Sequence, residues 1–229
     1  MSNENNLNQI REGLARWKSD RCNVATATSL LNQGNNLIIP RAVYENWSDD
    51  ATNVHIYLAV STSGELEFYV IDAFHDYQGN VPVDRLADYA TKCTYNNGLN
   101  PMATIPHFEN QENPNPDALT PQEGLEYFFR WEMNKNSWLQ QNVVTNPTPE
   151  NPGIFQLFIV PMQDFKYIFD DLVNENAIMT ISLKEDNTPD MVCWGDAFKK
   201  FETLADVSLV APPFHNGSLV EYQLIVGVN

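Results

Sequence analysis

Between Leu37 and Tyr77 the chain alternates apolar and polar positions more regularly than anywhere else. Val54, Ile56, Leu58 and Val60 alternate with His55, Tyr57 and Ala59, so one row faces a core and the other a wetter surface. Ser61-Thr62-Ser63-Gly64 supplies turn chemistry, and Leu66, Phe68 and Val70 resume the alternation against Glu65, Glu67 and Tyr69. The pattern predicts a hairpin. Ahead of it, Leu37-Ile38-Ile39 reads as a short buried strand, and Pro40 suits the first turn of a helix carrying Tyr44 and Trp47.

Elsewhere the apolar spacing is helical. Leu7, Ile10, Leu14 and Trp17 recur at intervals of three and four, and Val24, Thr28 and Leu31 continue the phase, which predicts helix over 5–32 with a break near Ser19-Asp20 and a stop at Gly34-Asn35-Asn36. Val83, Leu86, Ala90 and Cys93 share one face of a further predicted helix ending near Asn96-Asn97-Gly98. Thr120-Pro121-Gln122-Glu123 is a capping box with proline at the first helical position. The helix it opens carries Tyr127, Phe128, Trp131 and Trp138 on more than one face. That wide apolar stripe predicts a packed central helix, with Tyr127, Trp131 and Trp138 as candidates for an aromatic binding face if the stripe is exposed. Ile154–Val160, Ala177–Leu183, Met191–Trp194, Val207–Val210 and Leu219–Val228 read as strands, and Phe198, Phe201 and Leu204 as a short helix.

Two stretches of this pattern resemble each other. Leu37-Ile38-Ile39-Pro40 aligns with Phe158-Ile159-Val160-Pro161, which places Tyr44 on Phe165, Trp47 on Ile168 and Asp49-Asp50 on Asp170-Asp171. After a two-residue slip, Val54–Val60 aligns with Ala177–Leu183. The expected fold is therefore α+β, with helices covering an antiparallel or mixed sheet in two related halves from an internal duplication. The halves are residues 1–98 and 120–229, joined by the proline-rich stretch 99–119 or merged into one continuous domain.

Composition narrows the function. A chain of 229 residues buries a sizeable core. Its formal charge of −17 disfavours direct contact with nucleic acid or anionic membrane and favours a basic protein partner or cations. The charge is uneven: through residue 36, Arg11, Arg16, Lys18 and Arg21 outweigh Glu4, Glu12 and Asp20 by +1, leaving −18 on the remainder. Cys22, Cys93 and Cys193 form no CxxC pair and read as reduced thiols of a cytoplasmic protein. No secretion signal or membrane-length apolar run is visible.

Candidate chemistry is sparse. Asp72-Ala73-Phe74-His75-Asp76 is the one local cluster of acids with a histidine, and Asp72, His75 and Asp76 are its candidate catalytic residues. Were the strand to continue, Asp72 and Asp76 would share a face and His75 would point away. Asp72 follows the phase of Phe68 and Val70, which predicts a partly buried acid. His107 and Glu109 are candidate metal ligands in the connector. No GxSxG, HExxH, P-loop, GxGxxG or EF-hand pattern occurs, and no cofactor is expected. The leading expectation is an interaction module for a basic partner, acting as an antidote or accessory subunit. The alternatives are a metal-assisted hydrolase using carboxylate and histidine ligands, and a self-assembling structural protein joined through its N-terminal helix.

Overall fold

The computed structural model describes residues 3–97, 119–148, 150–195, 205–206, 209–211, 222–226 and 228. It is an α+β protein built on one antiparallel sheet. Helix α1 spans Asn3–Asp20 and α2 Val24–Leu31. Leu7, Ile10, Leu14 and Trp17 are all buried, and the break between the helices is capped by Asn23, whose side chain accepts from Thr26 N at 3.0 Å. Strand β1 (Asn36–Pro40) leads into the turn α3 (Arg41–Tyr44), and β2 (Asn53–Val60) with β3 (Leu66–Asp72) forms the expected hairpin. A helical turn, α4 (Ala73–Asp76), a 3-10 turn over Val83–Asp88 and β4 (Thr91–Asn96) follow. Thr120 caps α5 (Pro121–Asn142) with the predicted reciprocal box. Strand β5 (Leu157–Pro161), α6 (Met162–Lys166), a π turn over Tyr167–Asp171, β6 (Asn176–Leu183) and β7 (Pro189–Gly195) complete the second half, with β8 (Ala205–Asp206) and β9 (Leu209–Ala211) beyond.

The strand order is β8-β7-β6-β1-β4-β3-β2-β5-β9, with every pairing antiparallel. The two ends of this order are near in sequence, Asp206 and Leu209, and β7 touches both β5 and β9, so the sheet curls until its ends approach each other. One face of the sheet carries the main core: Val54, Ile56, Leu58, Phe68, Met179 and Ile181 are buried together there.

The halves are interleaved. Strand β1 lies beside β6, and β5 lies beside β2, so each half places its first strand against the hairpin of the other. Leu37, Ile38, Ile39 and Pro40 face Met179, Ile178, Ala177 and Asn176; Phe158, Ile159, Val160 and Pro161 face Ile56, His55, Val54 and Asn53. These are the same partners, pair for pair, under the sequence alignment with its two-residue slip. The hairpins match too, Val54 facing Asp72 through Val60 facing Leu66, and Ala177 facing Gly195 through Leu183 facing Pro189.

Several local expectations are corrected. The His55, Tyr57 and Ala59 row is not wetter, because α1 and the segment near Leu224 cover it. Cys93 lies in strand β4 rather than on a helix: Thr91–Asn96 pairs with β3 and β1, and that tertiary pairing overrides a weak helical spacing. Trp47 falls beyond α3, which ends at Tyr44. The described part of Leu219–Val228 is turn, joined to the body by a bridge between Tyr77 and Tyr222. The connector up to residue 118 and the predicted helix near Phe198–Leu204 lie outside the described residues. Among the described residues, no helix is long and apolar enough to cross a membrane.

Candidate functional site

The chain leaves β3 at Asp72 and turns immediately into α4, so the acidic cluster is not extended. Asp72 is the N-cap: its carboxylate accepts from His75 N at 3.1 Å and meets His75 Nδ1 with its other oxygen. His75, expected to point away, is instead folded back onto Asp72 and stacks on Tyr89 with 3.8 Å between centroids. Asp72 is fully rather than partly buried.

Asp76 has separate partners. One carboxylate oxygen lies 2.6 Å from His55 Nδ1 and accepts from the Tyr57 hydroxyl; the other accepts from Leu224 N at 2.9 Å. The Asp76 carbonyl accepts from Gln223 N at 2.8 Å. Burial, then the charge of Asp76 and the bond to it, hold the Tyr57 hydroxyl well above its ordinary pKa, so it stays a donor. His55, Tyr57 and Asp76 are all out of contact with solvent. The three sequence candidates thus fall into two pairs, Asp72 with His75 and Asp76 with His55, whose polar atoms satisfy one another. Both oxygens of each carboxylate are engaged, and the Asp76 group ties the C-terminal segment to the sheet. Sequence reading did not find His55 and Tyr57; their shared row on β2 was the available signal.

The matched segments of the two halves meet around Tyr44. Tyr44 stacks on Phe169 at 4.8 Å, Trp47 meets Tyr44 edge-on at 5.8 Å, and Trp47 meets Phe165 edge-on at 4.9 Å. The Tyr44 hydroxyl donates to the Asp170 carboxylate. Burial first, then Asp170, raises the pKa of that hydroxyl, and the charge of Asp49 adds to the effect, so the two Asp-Asp pairs converge on one tyrosine. Arg41 stands over the Phe169 ring at 5.4 Å, 4.0 Å from Asp170, and donates through Nε to the Asn174 carbonyl at 3.0 Å.

Tyr44 and Trp47 are half-buried, Phe165 and Phe169 fully buried, and on the same two segments Glu45, Asp49, Asp50, Asp170, Asp171 and Glu175 are exposed, against Arg41 and Lys166. Val173 stands among them 69% exposed, in the left-handed backbone region at φ 54°, an uncommon setting for a β-branched residue. The two segments thus combine packed aromatic rings with a surplus of exposed carboxylates.

The aromatic candidates on α5 sit elsewhere. Trp131 and Trp138 are buried and pack with Phe155 in the main core, and Tyr127 is half-buried against Ile178 and Trp194. Burial withdraws Trp131 and Trp138 from any exposed binding face. His107 and Glu109 lie outside the described residues. Among the described residues, no three acidic, histidine or cysteine side chains gather as a metal site.

No protein-family model, curated protein or solved structure matches the chain.

Proposed function

We propose that this chain is an acidic interaction module of the cytoplasm that covers a basic protein partner, as an antidote or accessory subunit does. One observation supports the reading above others: the segments of Tyr44 and Trp47 and of Phe169 and Val173 pack ring on ring and carry six exposed carboxylates, two of which act on Tyr44. Interfaces combine aromatic anchors with a polar rim, and charge of one sign on that rim speeds encounter with the opposite sign. The net charge of −17 extends the same attraction over the body.

The burial of Asp72 and Asp76 supports a structural role for the acid–histidine pairs over a hydrolytic one. A carboxylate that itself takes or gives a substrate proton has to reach it, whereas these two are spent on His75, His55, Tyr57 and backbone donors, and no nucleophile is hydrogen-bonded to either histidine among the described residues.

The test is capture of partners from the native extract by wild type and by Asp50→Lys/Asp171→Lys, both exposed positions outside the Tyr44 contacts. The expected result is a stoichiometric basic protein, held at low salt, whose association slows steeply as salt rises and which the charge-reversed variant loses while melting like wild type. A partner that binds both proteins equally, with no dependence on salt, overturns the reading.

A further inference from the structure

Beside the Asp76 anchor, α1, the loop before the 3-10 turn and the C-terminal turn line an open groove of about 400 Å³. That is within the range of small-molecule sites. Val81, Pro82, Val83 and Val226 supply apolar walls, with Val83 50% and Val226 38% exposed at the mouth.

Two polar side chains line the same groove with unfinished hydrogen bonding. Arg11 donates through Nη2 to the Gln223 carbonyl at 2.9 Å, but its Nε is buried with no partner among the described residues. No carboxylate pairs with Arg11 among the described residues, although the chain carries 30 acidic residues. Gln223 is only 4% exposed: its Nε2 donates to the Tyr77 carbonyl at 2.9 Å, while its Oε1 has no partner. Leaving a buried donor and a buried acceptor bare is costly, and a half-buried cation without a counter-charge adds to that cost.

We propose that this groove binds a small aliphatic carboxylic acid bearing an α-hydroxyl or α-amino group. The guanidinium of Arg11 takes the carboxylate, for which its planar fork is suited. Gln223 Oε1 accepts from the hydroxyl or amino group, and the valines and Pro82 hold the aliphatic body. Both bare atoms are buried, so binding takes a rotation of each side-chain end, which for Gln223 exchanges the Nε2 bond to the Tyr77 carbonyl for the ligand. Bound acid would also stiffen the turn that Gln223 and Leu224 fasten to Asp76.

Titration of the full chain with 2-hydroxyisovalerate, valine and isovalerate, followed through the valine methyl resonances, tests this. Saturable shifts confined to Val81, Val83 and Val226 are expected with 2-hydroxyisovalerate or valine at millimolar concentration; which of the two binds more tightly assigns the donor. Isovalerate, which lacks the donor, should bind more weakly. Arg11→Gln should weaken binding by at least about tenfold. Val83→Glu, a change at an exposed position that tolerates it, places a carboxylate at the mouth and should do the same while leaving the melting temperature unchanged. Absence of saturable shifts with all three acids overturns the proposal, as does undiminished affinity in Val83→Glu.

Discussion

The ring of Tyr44 lies nearly parallel to that of Phe169, 4.8 Å away, and the two residues come from the two matched halves of the chain. Tyr44→Ala removes this stack, the edge contact to Trp47 and the hydrogen bond to Asp170 together. A loss of about 1–2 kcal/mol is expected in urea unfolding, since aromatic pairs add to burial by amounts of this size. Tyr44→Phe keeps the rings and gives up a bond to an exposed carboxylate, so it should stay within about 1 kcal/mol of wild type. Equal losses in the two variants would mean that the hydroxyl, not the stack, joins the halves.

That contact shows how much of the molecule was legible in the chain. The hairpin of Val54 to Asp72, the capped helix at Thr120 and the α+β class are visible because period, turn residues and caps are local signals. The aligned registers of β1 with β6 and β5 with β2 were prepared by the resemblance of Leu37–Pro40 to Phe158–Pro161, but nothing local says that each strand pairs with the other half. The acid cluster was found and its geometry was not, because Asp72 caps a turn as well as it continues a strand. His55 and Tyr57 escaped notice because their partner, Asp76, is reached only when the hairpin closes and the chain folds back.

The buried group around Asp76 should be expensive to break. Asp76→Ala strands His55, the Tyr57 hydroxyl and Leu224 N without an acceptor. About 3–5 kcal/mol is expected, as for other one-sided removals from buried polar networks. Tyr57→Phe leaves Asp76 with its remaining donors and should cost about 0.5–1.5 kcal/mol. Hydrogen exchange at Leu224 should accelerate in Asp76→Ala and not in Tyr57→Phe; unchanged protection would sink the anchoring role.

Asp164 predicts an unusual pH dependence. It lies buried in α6, and burial first, with the charge of Asp190 second, pushes its carboxyl from 3.8 up to about 7. Below pH 3.8 the group is protonated whether the chain is folded or not. Between there and 7 the unfolded chain loses that proton while the folded protein keeps it, so stability from this group falls as pH rises, and above 7 it levels off. The difference in pKa sets an upper bound of roughly 4 kcal/mol. Melting measured from pH 5 to 8 should show a decline that Asp164→Asn flattens; parallel profiles would remove Asp164 as its source.

Trp131 tests the packing of α5. It is buried, with Trp138 at 5.7 Å and Phe155 at 6.2 Å between ring centroids. Trp131→Ala should cost about 3–5 kcal/mol through lost burial and the cavity left behind. A variant that unfolds at the wild-type urea midpoint would place the ring outside the core.

Gly195 occupies the place in the second hairpin that Asp72 holds in the first, facing Ala177 as Asp72 faces Val54. The first hairpin has room for a carboxylate there, and the second has none. A Cβ on Gly195 would come within 2.2 Å of the Asn174 side chain. That side chain cannot retreat cheaply, because Asn174 is buried and its Nδ2 donates to the Ile168 carbonyl at 3.0 Å. Gly195→Ala should therefore cost about 1–3 kcal/mol by overpacking. Asn174→Ala alone should also destabilise, by giving up the Ile168 bond, but it vacates the space that the new methyl needs. The double variant should then be more stable than the sum of the single losses predicts, by about 0.5–3 kcal/mol, because the two side chains compete for one volume. Additive losses in the urea midpoints would show that Gly195 is required for a reason other than the approach of Asn174.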